Sequence, residues 1–291
     1  MWFEVKADSV SRDLMTLGPG NEDAEDILSS SLEALYDYSP ITLSTANSIF
    51  AFKLPNDGPT ITLKTPDTAA ANWSLHASSV WVASHFLAEN ISRLDIPAHV
   101  TRCPAGKRVK LLELGASAGL PSIAIAKIHK ELSVVVSDYP DDLLIQTLAD
   151  NVASNGVASN CRALPYGWGT DPSHLFSPDG DKFDLVVAAD TLWNPEFHGI
   201  FIESLKSTLK RSTESRVHIF AGLHTGRYTI QAFLNLAVAS GFDVQNLVEL
   251  EINGNQSRVW SVEREGDDES HRRKWLVSMT LGWNEVQRRK S

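Results

Sequence analysis

Gly115 and Gly119 stand in the run Leu-Leu-Glu-Leu-Gly-Ala-Ser-Ala-Gly-Leu-Pro-Ser, residues 111–122, between a compact apolar stretch and a helix-forming one. Glycines at such a junction let the backbone turn tightly and approach a ligand, while the helix N-terminus beyond them presents unpaired N–H groups. The same glycines can also serve the turn alone. Asp138 shifts the balance. It follows Gly119 by nineteen residues, at the end of the next apolar run, where a carboxylate accepts hydrogen bonds from ribose hydroxyls. The loop reads GASAG and not GxGxxG, so no pyrophosphate site is evident and a nucleoside without one fits better. An adenosyl group with an amino-acid tail is such a ligand, its ammonium meeting a carboxylate or carbonyls near Glu113 to Gly115.

The surrounding elements must place these residues at one edge of a sheet. Apolar runs at 108–114, 133–137, 162–164, 183–189, 217–223 and 242–251 read as strands, and 121–130, 142–154, 196–209 and 230–240 as the helices between them. Alternation of this kind predicts an open, mostly parallel sheet with helices on both faces. Strands such as Leu185-Val186-Val187-Ala188-Ala189 are apolar throughout, as expected where both faces are covered. A short strand at 258–262 and a last one at 275–281 lack intervening helices, which predicts an antiparallel hairpin at the end of the sheet. Upstream, the spacing predicts one amphipathic helix over 73–94, ended by Pro97, and a loop from there to Pro104. Residues 1–69 form an arm, with an acidic patch at Glu22 to Asp26, a short helix at 29–36 and extended or turn-like chain around Pro40, Pro55 and Pro59; a single domain then fills residues 70–291.

Four motifs in order, ELGASAGLPS, SDYP at 137–140, YGWG at 166–169 and AADTLWN at 188–194, resemble the seven-strand S-adenosylmethionine-dependent methyltransferases. More narrowly they are similar to the family of fungal nicotinamide N-methyltransferase-like proteins and of the protein-lysine and N-terminal methyltransferases acting on elongation factor. The resemblance covers roughly residues 70–283 and extends to AGLHTGR at 221–227 and to the closing RRKWLVSMTLGW. It implies a Rossmann-like α/β fold with a seven-stranded sheet, and S-adenosyl-L-methionine as cofactor. It also implies that Glu113, Gly115, Ala116, Ser117 and Gly119 form the cofactor loop, that Asp138 and Tyr139 hold ribose and adenine, and that Trp168 packs on the adenine. Ala189 then lies beside the cofactor, Trp81 closes the site, and Asp190 to Trp193 match the acid-x-x-aromatic motif on the substrate side. Ser117 departs from the glycine of many relatives.

Methyl transfer is an in-line displacement on a sulfonium methyl, promoted mainly by orientation. Asp190 can orient or polarise an amine, or cap the segment starting at Pro195. Trp193 can face a cationic acceptor or simply pack. His224 can take the released proton or order the HTGR turn. No HExxH spacing or CxxC pair suggests a metal, and no GxSxG elbow suggests a hydrolase. With 43% hydrophobic and 21% charged residues in 291, the chain reads as a soluble globular protein. Its charge of −10, from 36 acidic and 26 basic residues, argues against nucleic acid as the main partner. Two cysteines, Cys103 and Cys161, read as free thiols in a reducing compartment, and the leader-free start and lack of a long apolar run predict a cytoplasmic protein without a membrane anchor. The acceptor is then a protein amine or a small amine-like metabolite. O-methylation or cyclisation on the same scaffold, and a non-catalytic cofactor-binding module, are the alternatives.

Overall fold

Residues 39–289 are described by the computed structural model; the expected acidic patch at 22–26 and helix at 29–36 lie outside them. Two strands, β1 (Ile49–Lys53) and β2 (Thr60–Lys64), come first and pair antiparallel. Their alternation buries one face, Phe52, Ile61 and Leu63, and leaves the other in water. Next comes a 3-10 helix at Ala70–Leu75, followed by helix α1 (Val82–Glu89), a second 3-10 turn at Ile91–Leu94 and helix α2 (Ile96–Arg102).

This corrects the single helix expected over 73–94 and the loop after Pro97. His76 is left-handed and Trp81 extended, so the chain breaks between them. Pro97 sits in the first turn of α2, where its missing N–H leaves no hydrogen bond unmade, and so it starts a helix there instead of ending one.

The main sheet draws on β3 (Lys110–Leu114), β4 (Ser133–Asp138), β5 (Cys161–Pro165), β6 (Leu185–Ala189), β7 (Arg216–Gly222), β8 (Phe242–Glu251), β9 (Ser257–Val259) and β10 (Trp275–Trp283). The intervening helices are α3 (Leu120–Ile128), α4 (Asp142–Ser154), α5 (His198–Thr208) and α6 (Arg227–Ala239), with one-turn helices α7 (Glu269–Arg272) and α8 (Glu285–Arg288) near the end. Strand order is β5-β4-β3-β6-β7-β10-β8-β9. Strands β3 to β7 run parallel, and β10 slots antiparallel between β7 and β8. The sheet therefore has eight strands and not the expected seven, because the Asn253-Gly254-Asn255 turn folds β9 back on β8, with Val248 opposite Val259. The order reverses between β4, β3 and β6, which opens a crevice at the carboxyl ends of β3, β4 and β6.

One apolar layer, with Ile123, Leu148 and Phe86, covers one face of the sheet; a second, with Phe201, Phe233 and Trp283, covers the other. The β1–β2 hairpin is fastened to the first layer by two asparagines one helical turn apart on α4. Asn151 accepts from Lys64 N and donates to Lys64 O, at 2.9 and 2.8 Å, and Asn155 does the same for Thr62, at 3.2 and 2.9 Å. Residues 49–64, read from sequence as part of an arm, are thus hydrogen-bonded to the helix that follows β4. No described helix is long and apolar enough to cross a membrane.

Candidate active site

The β3–α3 loop is held by carboxylates from neighbouring elements. Gly115 (φ +72°) and Gly119 (φ +83°) are both left-handed, the conformation for which glycine is suited. A Cβ on Gly115 would stand 3.0 Å from Thr191 Cγ2 and 3.2 Å from Trp168, so only a glycine leaves the floor of the crevice open there. A Cβ on Gly119 would meet Leu148 Cδ1 at 2.6 Å, so this second glycine serves the packing of α4 against the loop.

Ser117, the position at which many relatives carry glycine, is also left-handed (φ +50°). Its N–H donates to Asp138 Oδ2 at 2.6 Å, and its hydroxyl lies 2.6 Å from Ala77 O and 3.0 Å from Ser79 O. The serine thereby ties the loop to the segment entering α1, which a glycine would not do. Asp138 Oδ1 accepts from Tyr139 N at 2.7 Å. Burial pushes the Asp138 carboxyl up to about 6 against the two backbone hydrogen bonds. Glu113 is buried too, and its carboxyl is pushed up to about 7; Oε2 accepts from Ser122 N at 3.0 Å, in the first turn of α3.

A cavity of about 330 Å³ opens in front of this loop. Of the expected cofactor residues, Trp81, Gly115, Ser117, Asp138, Tyr139, Trp168 and Ala189 line it. Glu113, Ala116 and Gly119 do not; they line a narrow crevice behind the loop, shared with Trp81, Gly115, Ser117 and Ala189. Trp168 lies against Phe201, ring centres 4.6 Å apart.

Asp190 and Trp193 also line the cavity, on the chain leaving β6. Asp190 is left-handed (φ +55°), buried, and committed to the scaffold. Its Oδ1 accepts from Gly222 N at 2.6 Å and its Oδ2 from Ala83 N at 3.3 Å. It thus ties the first turn of α1 to the end of β7. The segment starting at Pro195, which Asp190 was a candidate to cap, is capped by Asn194. Burial pushes the Asp190 carboxyl up, while His224 and the two backbone donors act in the opposite sense.

His224 does not line the cavity. Its ring stacks on Trp81 at 5.7 Å and 18°, and it is close enough to Asp190 to act on that carboxyl. Trp81 is itself fixed by its Nε1–H, which donates to His76 O at 2.9 Å.

Sequence reasoning missed several lining residues. Tyr166, Gly167 and Thr170 come from the chain after β5, Phe197 from the 3-10 turn Pro195–Phe197 and Ile200 from α5, while Leu75, His76, Ala77, Pro140 and Thr191 complete the wall. The YGWG motif is the signal for Tyr166 and Gly167. Nothing in the sequence marked His76, since its place depends on the break before α1.

These residues fit an S-adenosyl ligand. The Asp138 carboxylate faces the cavity beside a glycine cradle and the Trp168 indole, as an adenosyl group requires. Thr191 Oγ1 is buried at the cavity wall without a hydrogen-bond partner among the described residues, a polar atom suited to a ligand's polar group.

A sequence model of the lysine methyltransferase family matches residues 65–238. The chain is 30% identical over 179 residues to a protein of Schizosaccharomyces pombe named protein N-terminal and lysine N-methyltransferase, covering 59% of this chain and 68% of that protein. It is 30% identical over 236 residues to a protein of the same name in Gibberella zeae, covering 73% and 81% respectively. A third, from Emericella nidulans, is 28% identical over 188 residues, covering 60% and 70%.

Proposed function

The chain belongs to the lysine methyltransferase family, and from that premise we propose that it transfers a methyl group from S-adenosylmethionine to a protein amine, an N-terminal α-amine or a lysine. One observation carries this reading: the cavity joins an end lined by Gly115, Asp138 and Trp168, residue types suited to a nucleoside, to an end walled by aromatic rings, Trp81, Trp193 and Phe197. The cofactor supplies a methyl group on a positively charged sulfur. Asp138 and the Gly115 turn would hold its adenosyl part, with Tyr139 and Trp168 against the base.

The protein's remaining task is to orient a neutral amine and to exclude water, which is where most of the rate enhancement of a displacement originates. Trp193 and Trp81 present π surfaces suited to an ammonium or its alkyl stem. Asp190 serves by fixing Trp81 and the end of β7, and His224 by backing Trp81. Further parts of the proposal are a catalytic domain over residues 70–291 to which the β1–β2 hairpin is fastened, a cytoplasmic location, and no nucleic-acid or membrane partner. The net charge of −10 and two unpaired cysteines support the last two.

Incubation with methyl-labelled S-adenosylmethionine and cell lysate, split into protein and small-molecule fractions, tests the reading. Label is expected in protein as methylated lysine or N-terminal residues. Label confined to small molecules would overturn it.

A further inference from the structure

Four rings line one side of the cavity and a fifth, His224, stacks on the last of them. Phe197 meets Trp193 edge-on at 6.0 Å, Trp193 meets His76 edge-on at 5.0 Å, His76 meets Trp81 edge-on at 6.2 Å, and Trp81 stacks on His224. His76 stands in the middle of this row and, among the described residues, is the histidine that lines the cavity.

Its backbone is held there. His76 is left-handed (φ +51°), an uncommon state for a non-glycine residue that concentrates at functional sites. Its N–H donates to Trp73 O at 3.1 Å and its carbonyl accepts from Trp81 Nε1. The next residue, Ala77, accepts from Ser117 of the cofactor loop. The backbone that carries the imidazole is thus fixed relative to both the aromatic wall and the loop that would hold the cofactor, and the ring itself packs edge-on against Trp193 and Trp81.

An amine is a nucleophile only after losing its proton, and the other acids and bases at the cavity are poorly placed to take it. Both oxygens of Asp190 and both of Asp138 already accept backbone N–H groups. Tyr166 is buried. His224 stacks on Trp81 and is not among the residues that line the cavity. Tyr139 lines the cavity with the adenosyl-binding residues.

Resting on the function proposed above, we infer that His76 is the proton acceptor for the substrate amine. The step balances: the ammonium N–H bond breaks, its proton bonds to the free imidazole nitrogen, and the electron pair left on the amine nitrogen is the nucleophile. The imidazolium returns the proton to water after turnover.

The test compares wild type with His76→Phe, which keeps a ring between Trp193 and Trp81 but removes the nitrogens. On a short peptide with a free α-amine, turnover at pH 7 is expected to fall by about 100-fold. It should recover substantially near pH 9, where the α-amine is already neutral. Affinity for S-adenosylhomocysteine should stay unchanged. Turnover equal to wild type at pH 7, or a deficit that persists unchanged at pH 9, overturns the assignment.

A second readout needs no turnover. The His76 ring resonance, followed by NMR in the cofactor-free protein, should shift on addition of the free-amine peptide and not of its Nα-acetylated form. No difference between the two peptides overturns the assignment. Wild-type protein that methylates no peptide amine overturns the function proposed above, while the NMR comparison still decides whether His76 meets the amine.

Discussion

Replacement of Asp190 separates a scaffold acid from an acid that works on substrate. In Asp190→Ala, Gly222 N and Ala83 N both lose their acceptor. Each orphaned buried N–H costs about 1–3 kcal/mol. Alanine at a φ of +55° adds about 1 kcal/mol that aspartate, which tolerates the left-handed region, mostly avoids. Summed, Asp190→Ala should lose roughly 3–7 kcal/mol, a large part of the stability of an ordinary domain. Asp190→Asn keeps the backbone tolerance and one acceptor, which would turn to the closer donor, Gly222 N. Ala83 N then faces an amide NH2, and the loss falls to about 1–3 kcal/mol. Urea unfolding followed by tryptophan fluorescence measures both losses. Binding of S-adenosylhomocysteine should weaken in both variants, because Trp81 starts the helix that Asp190 fastens. An Asp190→Ala protein as stable as wild type, with turnover abolished, would refute the reasoning and return Asp190 to the substrate.

Gly119→Ala places a Cβ 2.6 Å from Leu148 Cδ1 at a φ of +83°, and strain plus overpacking should destabilise the protein by about 2–5 kcal/mol in urea unfolding. Glu249→Gln breaks a buried cluster in which Glu249, itself inaccessible, pairs with Arg227 at 2.6 Å, Arg258 at 2.8 Å and Arg264 at 3.1 Å; although burial pushes the Glu249 carboxyl up, these arginines hold it below its usual value. Loss of that charge should lower stability by about 3–5 kcal/mol, and a change under 1 kcal/mol would show that the arginines find other partners. Glu113 and Asp138 set a pH dependence in the cofactor-free protein. Both carboxyls are raised by burial, to about 7 and about 6, so between about pH 4 and 7 the folded chain holds protons that the unfolded chain has released. Stability contributed by these two groups is therefore present below pH 4 and lost as pH rises to 7, by roughly 3 kcal/mol each; unfolding at pH 5 and 7 in Glu113→Gln against wild type isolates the first of them.

Much of the fold was legible because apolar runs and helical spacing are local. The β3-loop-α3 unit, Asp138 at the end of β4 and the carboxyl end of β6 could all be placed before any contact was known. What escaped depended on contacts distant in sequence. The β1–β2 hairpin rests on Asn151 and Asn155, residues on an unremarkable helix face 87 and 93 positions away. The break between His76 and Trp81 leaves the helical pattern on either side intact, so periodicity read straight through it. Pro97 reads as a stop in the sequence, yet the residue before it, Ile96, opens a helix, so the proline falls in a first turn and not inside a helix. At the site, residue types pointed to the edge of the sheet where the cavity opens, but the division of labour did not follow from type: Asp190 accepts from backbone donors, and His224 stacks on an indole.

The central claim is that the cavity between Gly115, Asp138 and Trp168 holds the adenosyl group of the methyl donor. Titration calorimetry of S-adenosylhomocysteine into wild type and Asp138→Ala tests it most directly. Wild type should bind at one site and Asp138→Ala should bind far more weakly, with circular dichroism reporting that the variant is folded. Absence of binding to wild type, or equal affinity in a folded Asp138→Ala protein, would contradict the account.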